Sequence, residues 1–305
     1  TRLVGSEMCI RDRWVSVFTA ISAFCNAGFD LFGRFGAYSS LVPYVNNYYV
    51  QAVIMFMIMA GGLGFMVWVE LAEYRKKRRL SLHAKVVLQF SVIFWVGGAV
   101  LLALLEWSNP RTMGGLSVPG KIMAALFQSV STRTAGMNTI DLAACSPISK
   151  LLMSVLQFIG AAPGSTGGGV KVTTFAVLIL TIRSVAQGRD DCVIGGHHIE
   201  SKTVYRALTI IVIGAVAAFG SAVVVYYNTA ETVSVIDCIF ESCSAFGTVG
   251  LSVGVTGQLN TGAKLLYMAC MFMGRVGPVS LAISLTAKPD DNKRKVLPVG
   301  HINVG

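Results

Sequence analysis

Charged side chains are scarce in this sequence, and their scarcity argues against the commonest class of protein. Asp, Glu, Lys and Arg make up only 13% of the 305 residues, whereas 54% are hydrophobic. A soluble globular domain carries about 25% charged residues, and the mean hydropathy of this chain is +0.65. The composition therefore predicts a membrane protein surrounded by lipid.

Acidic residues are the scarcer of the two charges. The chain has 15 Asp and Glu against 25 Lys and Arg, which gives a net charge of +10. In a soluble chain this excess would suggest binding to nucleic acid. In a membrane protein it is what the cytoplasmic loops normally supply, so we expect no nucleic-acid partner.

Patterns for bound metals and for catalysis are missing as well. The seven cysteines form no CxxC pair and show no zinc-like spacing with the four histidines. The acids include no convincing pair on one helix face, and His197 and His198 accompany no nucleophile motif. We expect no enzyme and no metal other than a transported ion, which makes an intramembrane enzyme the weakest alternative.

Long apolar stretches are abundant. A bilayer is crossed by about 20 apolar residues, and five stretches reach that length: roughly 50–72, 83–106, 151–182, 203–227 and 263–287. Fourteen basic residues lie in segments 73–85, 183–206 and the tail after 287, against six on the other side. Basic loops stay in the cytoplasm. The pattern predicts a multi-pass protein of the cell membrane with a cytoplasmic C-terminus.

One four-residue pattern occurs three times. NAGF (26–29), TAGM (134–137) and TVGL (248–251), here called the first, second and third turns, share a glycine between a small and a bulky apolar residue. Each follows an apolar run too short to span the membrane: 14–25, 119–131 and 233–246. Runs of that length are typical of re-entrant segments. The charge pattern places all three turns on the external side.

Three glycine turns at membrane depth predict an ion pathway. Irregular backbone is tolerated there only where it lines water or is buried in protein. Glycine permits conformations that aim successive carbonyls the same way, and rings of carbonyls can replace the hydration shell of a cation. The alternative, three unrelated glycine loops, leaves the aligned apolar runs unexplained.

The stretch 151–182 is too long for one membrane helix. Its 32 residues would extend about 48 Å, whereas the hydrocarbon core is about 30 Å thick. Its glycine-rich middle, GAAPGSTGGGVKV, predicts a break, and its polar side chains favour a gate over the alternative of a passive kink. The predicted gate residues are Gly164, Ser165, Thr166, Gly167, Gly168, Gly169 and Lys171, together with Arg275.

Arg275 lies in the middle of the apolar segment MACMFMGRVGPVSLAI. A charge at that depth is costly and marks a functional site by default. The residue is predicted to be a fixed positive charge beside the ion path. The alternative is one half of a structural salt bridge, for which Glu241 is the candidate partner.

Five motifs together resemble a known family: ISAFCNAGFDLFG (21–33), STRTAGMNTIDL (131–142), APGSTGGGVKVTT (162–174), SAFGTVGLS (244–252) and GRVGP (274–278). They resemble the Trk/Ktr/HKT superfamily of potassium transporters, and within it the Ktr-type translocating subunit. The resemblance covers essentially residues 14–290. It implies an all-α membrane protein with four tandem helix–pore loop–helix repeats in a potassium-channel-like architecture.

The resemblance also implies a division of the chain. Residues 14–80 would hold the end of the second repeat, 81–195 the third, 196–290 the fourth and 291–305 a cytoplasmic tail. The first repeat and the leading helix of the second would be missing. Residues 1–13 look like translated adapter sequence fused to a truncated reading frame, so we base no functional inference on them.

Carried over by position, the resemblance implies potassium uptake through a carbonyl-lined selectivity filter, with the glycine-rich segment as an intramembrane gate. Cys25 and Met137 depart from the family pattern, which expects a polar residue and phenylalanine there. Neither departure removes a backbone carbonyl. The implied filter residues are Asn26, Ala27, Gly28, Phe29, Thr134, Ala135, Gly136, Met137, Thr248, Val249, Gly250 and Leu251.

The same resemblance implies the partners and ions. Two pore subunits would form a homodimer on a cytoplasmic ring of nucleotide-binding regulatory subunits, for which the basic segments 73–85 and 183–206 are candidate docking surfaces. Potassium would be the transported ion, with sodium a candidate coupling or activating ion. The alternative from a different class is an alternating-access secondary cation transporter, which also uses broken helices and repeats but binds its substrate at the midplane.

Overall fold

The computed structural model describes residues 2–33, 39–188, 193–194, 197–229 and 232–277, with side chains from residue 12 onward except at 193–194. It is almost entirely helical, which confirms the predicted fold class. The helices are α1 Arg2–Phe24, α2 Tyr48–Gly62, α3 Phe65–Lys77, α4 Leu82–Glu106, α5 Val118–Ser131, α6 Pro147–Phe158, α7 Val172–Ala186, α8 Ser201–Asn228, α9 Val235–Gly247 and α10 Thr261–Val276. Two short 3-10 turns, Val42–Tyr44 and Val255–Gln258, and a two-stranded hairpin, β1 Val193–Ile194 with β2 His197–His198, complete the elements.

Two helices match the predicted membrane spans closely. Leu82–Glu106 and Ser201–Asn228 are long and apolar enough to cross a bilayer by themselves. The first begins where the hydroxyl of Ser81 accepts a hydrogen bond from the Ala84 amide, which satisfies one of the unpaired donors of the first turn. The predicted span 263–287 is helical to Val276, and its remainder after residue 277 lies outside the described residues.

The predicted span 50–72 is wrong as a single helix. The chain bends by 99° between α2 and α3, so the two together make one broken candidate span. Gly64 at the bend has a φ of +83°, and a side chain there would place its Cβ 2.4 Å from the Pro163 carbonyl oxygen. The break is therefore a contact with a segment about a hundred residues away, and only glycine fits it.

The predicted break in 151–182 is present. The helix stops at Phe158 and resumes at Val172, and the intervening residues are called the loop 159–171 here. A parallel backbone bridge between Ile159 and Val170 closes the base of this loop. The glycine-rich segment is thus a folded-back loop rather than a simple bend.

The three short apolar runs ahead of the turns are all helical and lie in α1, α5 and α9. α5 packs between α2 and α4, and α9 packs against α6, α8 and α10. Their apolar faces are completely buried at Phe127 and Phe240. α1 is helical from Arg2, so the helix extends back into the first thirteen residues. The origin of residues 1–13 and the repeat boundaries stay predictions.

Candidate functional site: three glycine turns above a loop

The three turns share one backbone conformation. Their first residues have φ values of +49° (Asn26), +85° (Thr134) and +53° (Thr248), and their glycines have +73°, +76° and +92° in the same order. The residue between is not left-handed in any of the three. Alternating left- and right-handed residues turn successive carbonyls toward the same side of the chain. The repeated letters therefore encode a repeated carbonyl-presenting backbone.

The turns lie against one another. A Cβ on Gly136 would be 2.2 Å from the Val249 oxygen and 3.0 Å from the Gly28 Cα. A Cβ on Gly28 would be 3.1 Å from the Ala135 oxygen. Residues more than a hundred positions apart in the sequence thus meet around one point, and the glycines leave the room for it.

Carbonyls of the turns divide into two groups. Among the described residues, those of the first three positions accept no hydrogen bond from the protein. The carbonyl of the fourth position accepts a serine hydroxyl in every copy: Ser22 donates to Phe29 at 2.6 Å, Ser244 to Leu251 at 2.7 Å, and Ser131 to Met137. Nine carbonyls are therefore left without a donor.

These serines were missed by the sequence analysis. Each lies near the end of the apolar run, six or seven residues before the carbonyl that it binds. A serine repeated at that distance is a visible signal, although by itself it is as common as any helix-surface serine.

The loop 159–171 contacts the first residue of each turn. The side-chain amide of Asn26 donates to the Thr166 hydroxyl at 2.7 Å. A Cβ on Gly167 would be 2.2 Å from the Thr134 hydroxyl, and a Cβ on Gly168 would be 2.3 Å from the Thr248 hydroxyl. Residues 166, 167 and 168 of the loop thus meet the first, second and third turns in that order. The glycines allow the loop to approach this closely.

Two cations hold the same part of the loop. Lys171 donates its ammonium to the Gly167 carbonyl at 2.6 Å, and Arg275 donates to the Thr166 carbonyl. The loop amides are engaged as well, since Ala162 donates to Gly62 at 3.0 Å. The predicted gate residues are thus brought together with the first turn position of each copy.

Among the described residues Glu241 is not the partner of Arg275, so the candidate partner named for a salt bridge is wrong. Its carboxylate is buried and turned toward the chain that follows the third turn, because that segment supplies nearby donors. The donors are the Ser252 hydroxyl at 2.5 Å, the Val253 and Val255 amides at 3.1 Å and the Thr256 hydroxyl at 2.9 Å. Glu241 therefore orders the exit of the third turn.

The arrangement suits a monovalent cation better than a metal held by side chains. No cluster of three or more His, Cys, Asp or Glu that could hold a metal occurs within the described part of the chain. The groups that converge are backbone carbonyls, which coordinate alkali cations by replacing water. The two cationic side chains act on the loop beneath.

Comparison with known proteins identifies a family for the chain. The model of the family described as TrkH, cation transport protein, matches residues 4–295. The Ktr system potassium uptake protein B of Bacillus subtilis is 34% identical over 292 residues, which cover 96% of this chain and 64% of that protein. The potassium/sodium uptake protein NtpJ of Enterococcus hirae is 36% identical over 277 residues, covering 90% and 60%.

A solved structure shares the fold. The crystal structure of the potassium transporter TrkH from Vibrio parahaemolyticus superposes with a TM-score of 0.70 and 20% sequence identity, over 87% of this chain and 56% of that one. The chain thus spans about three fifths of the length of the curated relatives it matches. Because the family model covers nearly the whole sequence, the chain belongs to the TrkH family of cation transport proteins.

Proposed function

We propose that the chain forms part of a potassium uptake pathway across the cell membrane, with the three turns as its selectivity filter. The observation that carries this proposal is the set of nine turn carbonyls without a protein donor. Five of the nine belong to buried residues: Asn26, Thr134, Ala135, Gly136 and Val249. Buried carbonyls are almost always paired, and a dehydrated cation is the partner that a converging set can share. The relatives named above are uptake proteins for potassium, or for potassium and sodium, and neither is named as an enzyme.

The filter in this proposal is shorter than the four-letter pattern suggests. The fourth carbonyl of each turn already accepts a serine hydroxyl, at 2.6 Å for Phe29 and 2.7 Å for Leu251. We therefore assign coordination mainly to the first three positions. The bulky fourth residues Met137 and Leu251 are buried and would instead brace their turns, whereas Phe29 is largely exposed.

The loop 159–171 is the proposed gate. Its contacts with Asn26, Thr134 and Thr248 support obstruction of the inner mouth of the filter, because any ion leaving the turns would meet residues 166–168. Lys171 and Arg275 add two positive charges at the same point. A unit charge about 6 Å from an ion contributes roughly 3 kcal/mol at an effective dielectric near 20. Opening would require the loop to leave its contacts with α2 and α10.

The assembly follows as a further part of the proposal. We infer a homodimer of pore subunits on a cytoplasmic regulatory ring that binds nucleotides, a multi-pass topology and a cytoplasmic C-terminus. The Bacillus relative is named as protein B of a Ktr system, which fits a protein that works with other components. Sodium is a candidate coupling or activating ion, because the Enterococcus relative is named for both ions.

Uptake in a strain that lacks its own potassium transporters tests the function. The complete gene product containing this sequence should restore growth at low potassium and take up potassium in preference to sodium. Gly136→Ser should abolish this preference, whereas Gly97→Ser should not, since Gly97 has open space around its Cβ position. Absence of potassium uptake by the inserted wild-type protein would refute the proposal.

An alternating-access secondary cation transporter is the second candidate. Two broken helices meet here, since the Thr166 amide of the loop donates to the Gly61 carbonyl at the end of α2 at 3.2 Å. Paired broken helices are typical of that class. Voltage-clamped liposomes separate the two. A channel-like pathway should give a potassium current without a second ion, whereas strict dependence of flux on a countertransported or cotransported ion would favour alternating access.

A further inference from the structure

Arg133 is a buried cation that no ion pair explains. It precedes the second turn and is 5% exposed. The ion pairs found among the described residues are Lys77 with Glu73 and Lys150 with Asp237, and neither includes it. A charge at this depth without an anion is costly. The contacts of its side chain should therefore explain why an arginine is buried at this position.

The guanidinium is held by carbonyls and aromatic rings. One nitrogen donates to the Gly160 carbonyl at 2.8 Å, and the other lies 3.5 Å from the Ser91 carbonyl. The group also sits 5.4 Å from the centre of the Phe94 ring and 5.8 Å from that of Trp95. Ring faces and the negative C-terminal end of α5 both stabilise a cation. Together these contacts take the place of a counter-ion.

The turn itself does not need an arginine. The aligned positions before the first and third turns hold Cys25 and Gly247, and those turns adopt the same left-handed, right-handed alternation. The arginine therefore serves a neighbour of the turn, namely the residue that its shorter hydrogen bond reaches. That neighbour is Gly160.

Gly160 is the point where the loop 159–171 begins and closes. Its amide donates to the Val170 carbonyl at 2.8 Å, which ties the start of the loop to its end. A Cβ on Gly160 would lie 1.8 Å from the Gly168 oxygen, so the middle of the loop packs on it too. Fixing Gly160 in space therefore fixes the base of the whole loop.

We propose that Arg133 is a positioning residue that anchors the base of the loop 159–171 to the second turn and thereby helps the filter exclude sodium. The proposal rests on the filter and gate function proposed above. Gly160 stays bound to Arg133 while residues 164–169 move. Thr134 keeps its position because it directly follows Arg133 in the chain.

Two substitutions of opposite character test the anchor. Arg133→Lys keeps a cationic donor for Gly160, whereas Arg133→Met fills the space without donating. We expect Arg133→Met to lower the potassium-to-sodium uptake ratio about tenfold, the factor that one charged hydrogen bond is worth, and Arg133→Lys to stay near wild type. Arg111→Met, at an exposed site after α4 and outside the candidate docking segments, is the matched control and should change nothing.

A role in packing alone predicts the reverse order, because methionine suits a buried apolar site better than lysine does. Selectivity that is retained in Arg133→Met, or lost more in Arg133→Lys, would therefore overturn the anchor. The wild-type protein is measured beside both variants. If the wild type takes up no potassium the proposed function fails, whereas an active wild type with an unaltered methionine variant refutes the anchor alone.

A second measurement needs no variant at this position. Hydrogen exchange of the purified wild type is compared with potassium present and with potassium replaced by a large organic cation. The anchor predicts that residues 164–169 change their exchange while the amide of Gly160 stays protected. Equal gains in exchange at the base and the middle of the loop would show that no clamp exists, whether or not the variants fold.

Discussion

The second and third turns have the same backbone and opposite supports. The second turn follows a buried cation, Arg133, and its four residues are enclosed on all sides. The third turn is followed by a segment that a buried anion, Glu241, holds through four hydrogen bonds. The positions aligned with these two charges are Gly247 in the third copy and Phe127 in the second. Neither charge is repeated.

This contrast separates what the repeat encodes from what it leaves open. The left-handed first residue, the glycine and the serine that binds the fourth carbonyl occur in all three copies, so the backbone conformation of the turn is specified inside each copy. The supports differ in what they hold. Arg133 reaches Gly160 of the loop 159–171, whereas Glu241 holds residues 252–256 after the third turn. Three near-identical turns are therefore joined to surroundings that are asymmetric.

Serine at the two glycines gives the largest expected difference. Gly136→Ser would place a Cβ 2.2 Å from the Val249 oxygen, whereas in Gly250→Ser the nearest atom is 3.8 Å away. Both add a side chain at a positive φ, which costs about 1–3 kcal/mol. We expect Gly136→Ser to lose selectivity or folding outright and Gly250→Ser to fold with weakened selectivity. Equal effects on yield and on the potassium-to-sodium ratio would contradict the enclosed second turn.

Paired substitutions of loop glycines and turn threonines test the contrast between the second and third turns. Gly167→Ala should clash with the Thr134 hydroxyl and Gly168→Ala with that of Thr248, so each should displace the loop and raise basal uptake. Thr248→Ala should restore gating to Gly168→Ala but not to Gly167→Ala. Thr134→Ala should relieve only Gly167→Ala, and only in part, because the Ala161 Cβ would also lie 2.7 Å from the added methyl group. Rescue by the wrong threonine would show that the loop contacts the turns in a different register.

Deleting 164–169 should raise the maximal uptake rate without inverting selectivity.

Some of this arrangement could be read from the sequence and some could not. The turns and the broken helix 151–182 have local signals, namely repeated glycines and a length well beyond what a single crossing of the hydrocarbon core requires. The bend at Gly64 has no local signal, because its cause is the close approach of the Pro163 carbonyl. The residues from 50 to 72 are apolar without interruption at the bend, so hydropathy predicts one continuous span. Arg133 lies within 107–150, which charge counting treats as an external loop.

The Arg275–Glu241 pair shows a second limit. Opposite charges in one membrane region suggest each other, but a carboxylate is satisfied by the nearest donors. For Glu241 these are amides and hydroxyls at most fifteen residues away. Arg275 instead donates to the Thr166 carbonyl of the loop. The distance between Arg275 and Glu241 in the fold cannot be read from the sequence.

Neutralising the anion of the third copy should have an intermediate effect. Glu241→Gln removes the charge from hydrogen bonds with Ser252, Val253, Val255 and Thr256, and a buried network of this kind loses about 1–3 kcal/mol when one acceptor is lost. We expect a lower melting temperature in detergent and faster exchange of residues 252–256. Glu200→Gln, at an exposed site, is the control. Unchanged exchange of 252–256 in the variant would remove Glu241 from the support of the third turn.

The smallest effects should come from the serines, and they decide where the filter ends. Ser22→Ala and Ser244→Ala each remove one hydroxyl, worth about 1 kcal/mol. Ser131→Ala should cost more, because its oxygen also accepts the Met137 amide at 3.0 Å. Ser154→Ala, a buried hydroxyl bound to the Lys150 carbonyl at 2.8 Å, is the matched control.

If coordination stops at the third carbonyl, these variants should melt slightly earlier while the potassium-to-sodium ratio stays as in the wild type. If the fourth carbonyl also binds the ion, freeing it from its serine should change potassium affinity in the three turn variants and not in Ser154→Ala. A common shift in affinity would extend the filter to four residues in each copy. It would also mean that the serines tune ion binding rather than only bracing the turns.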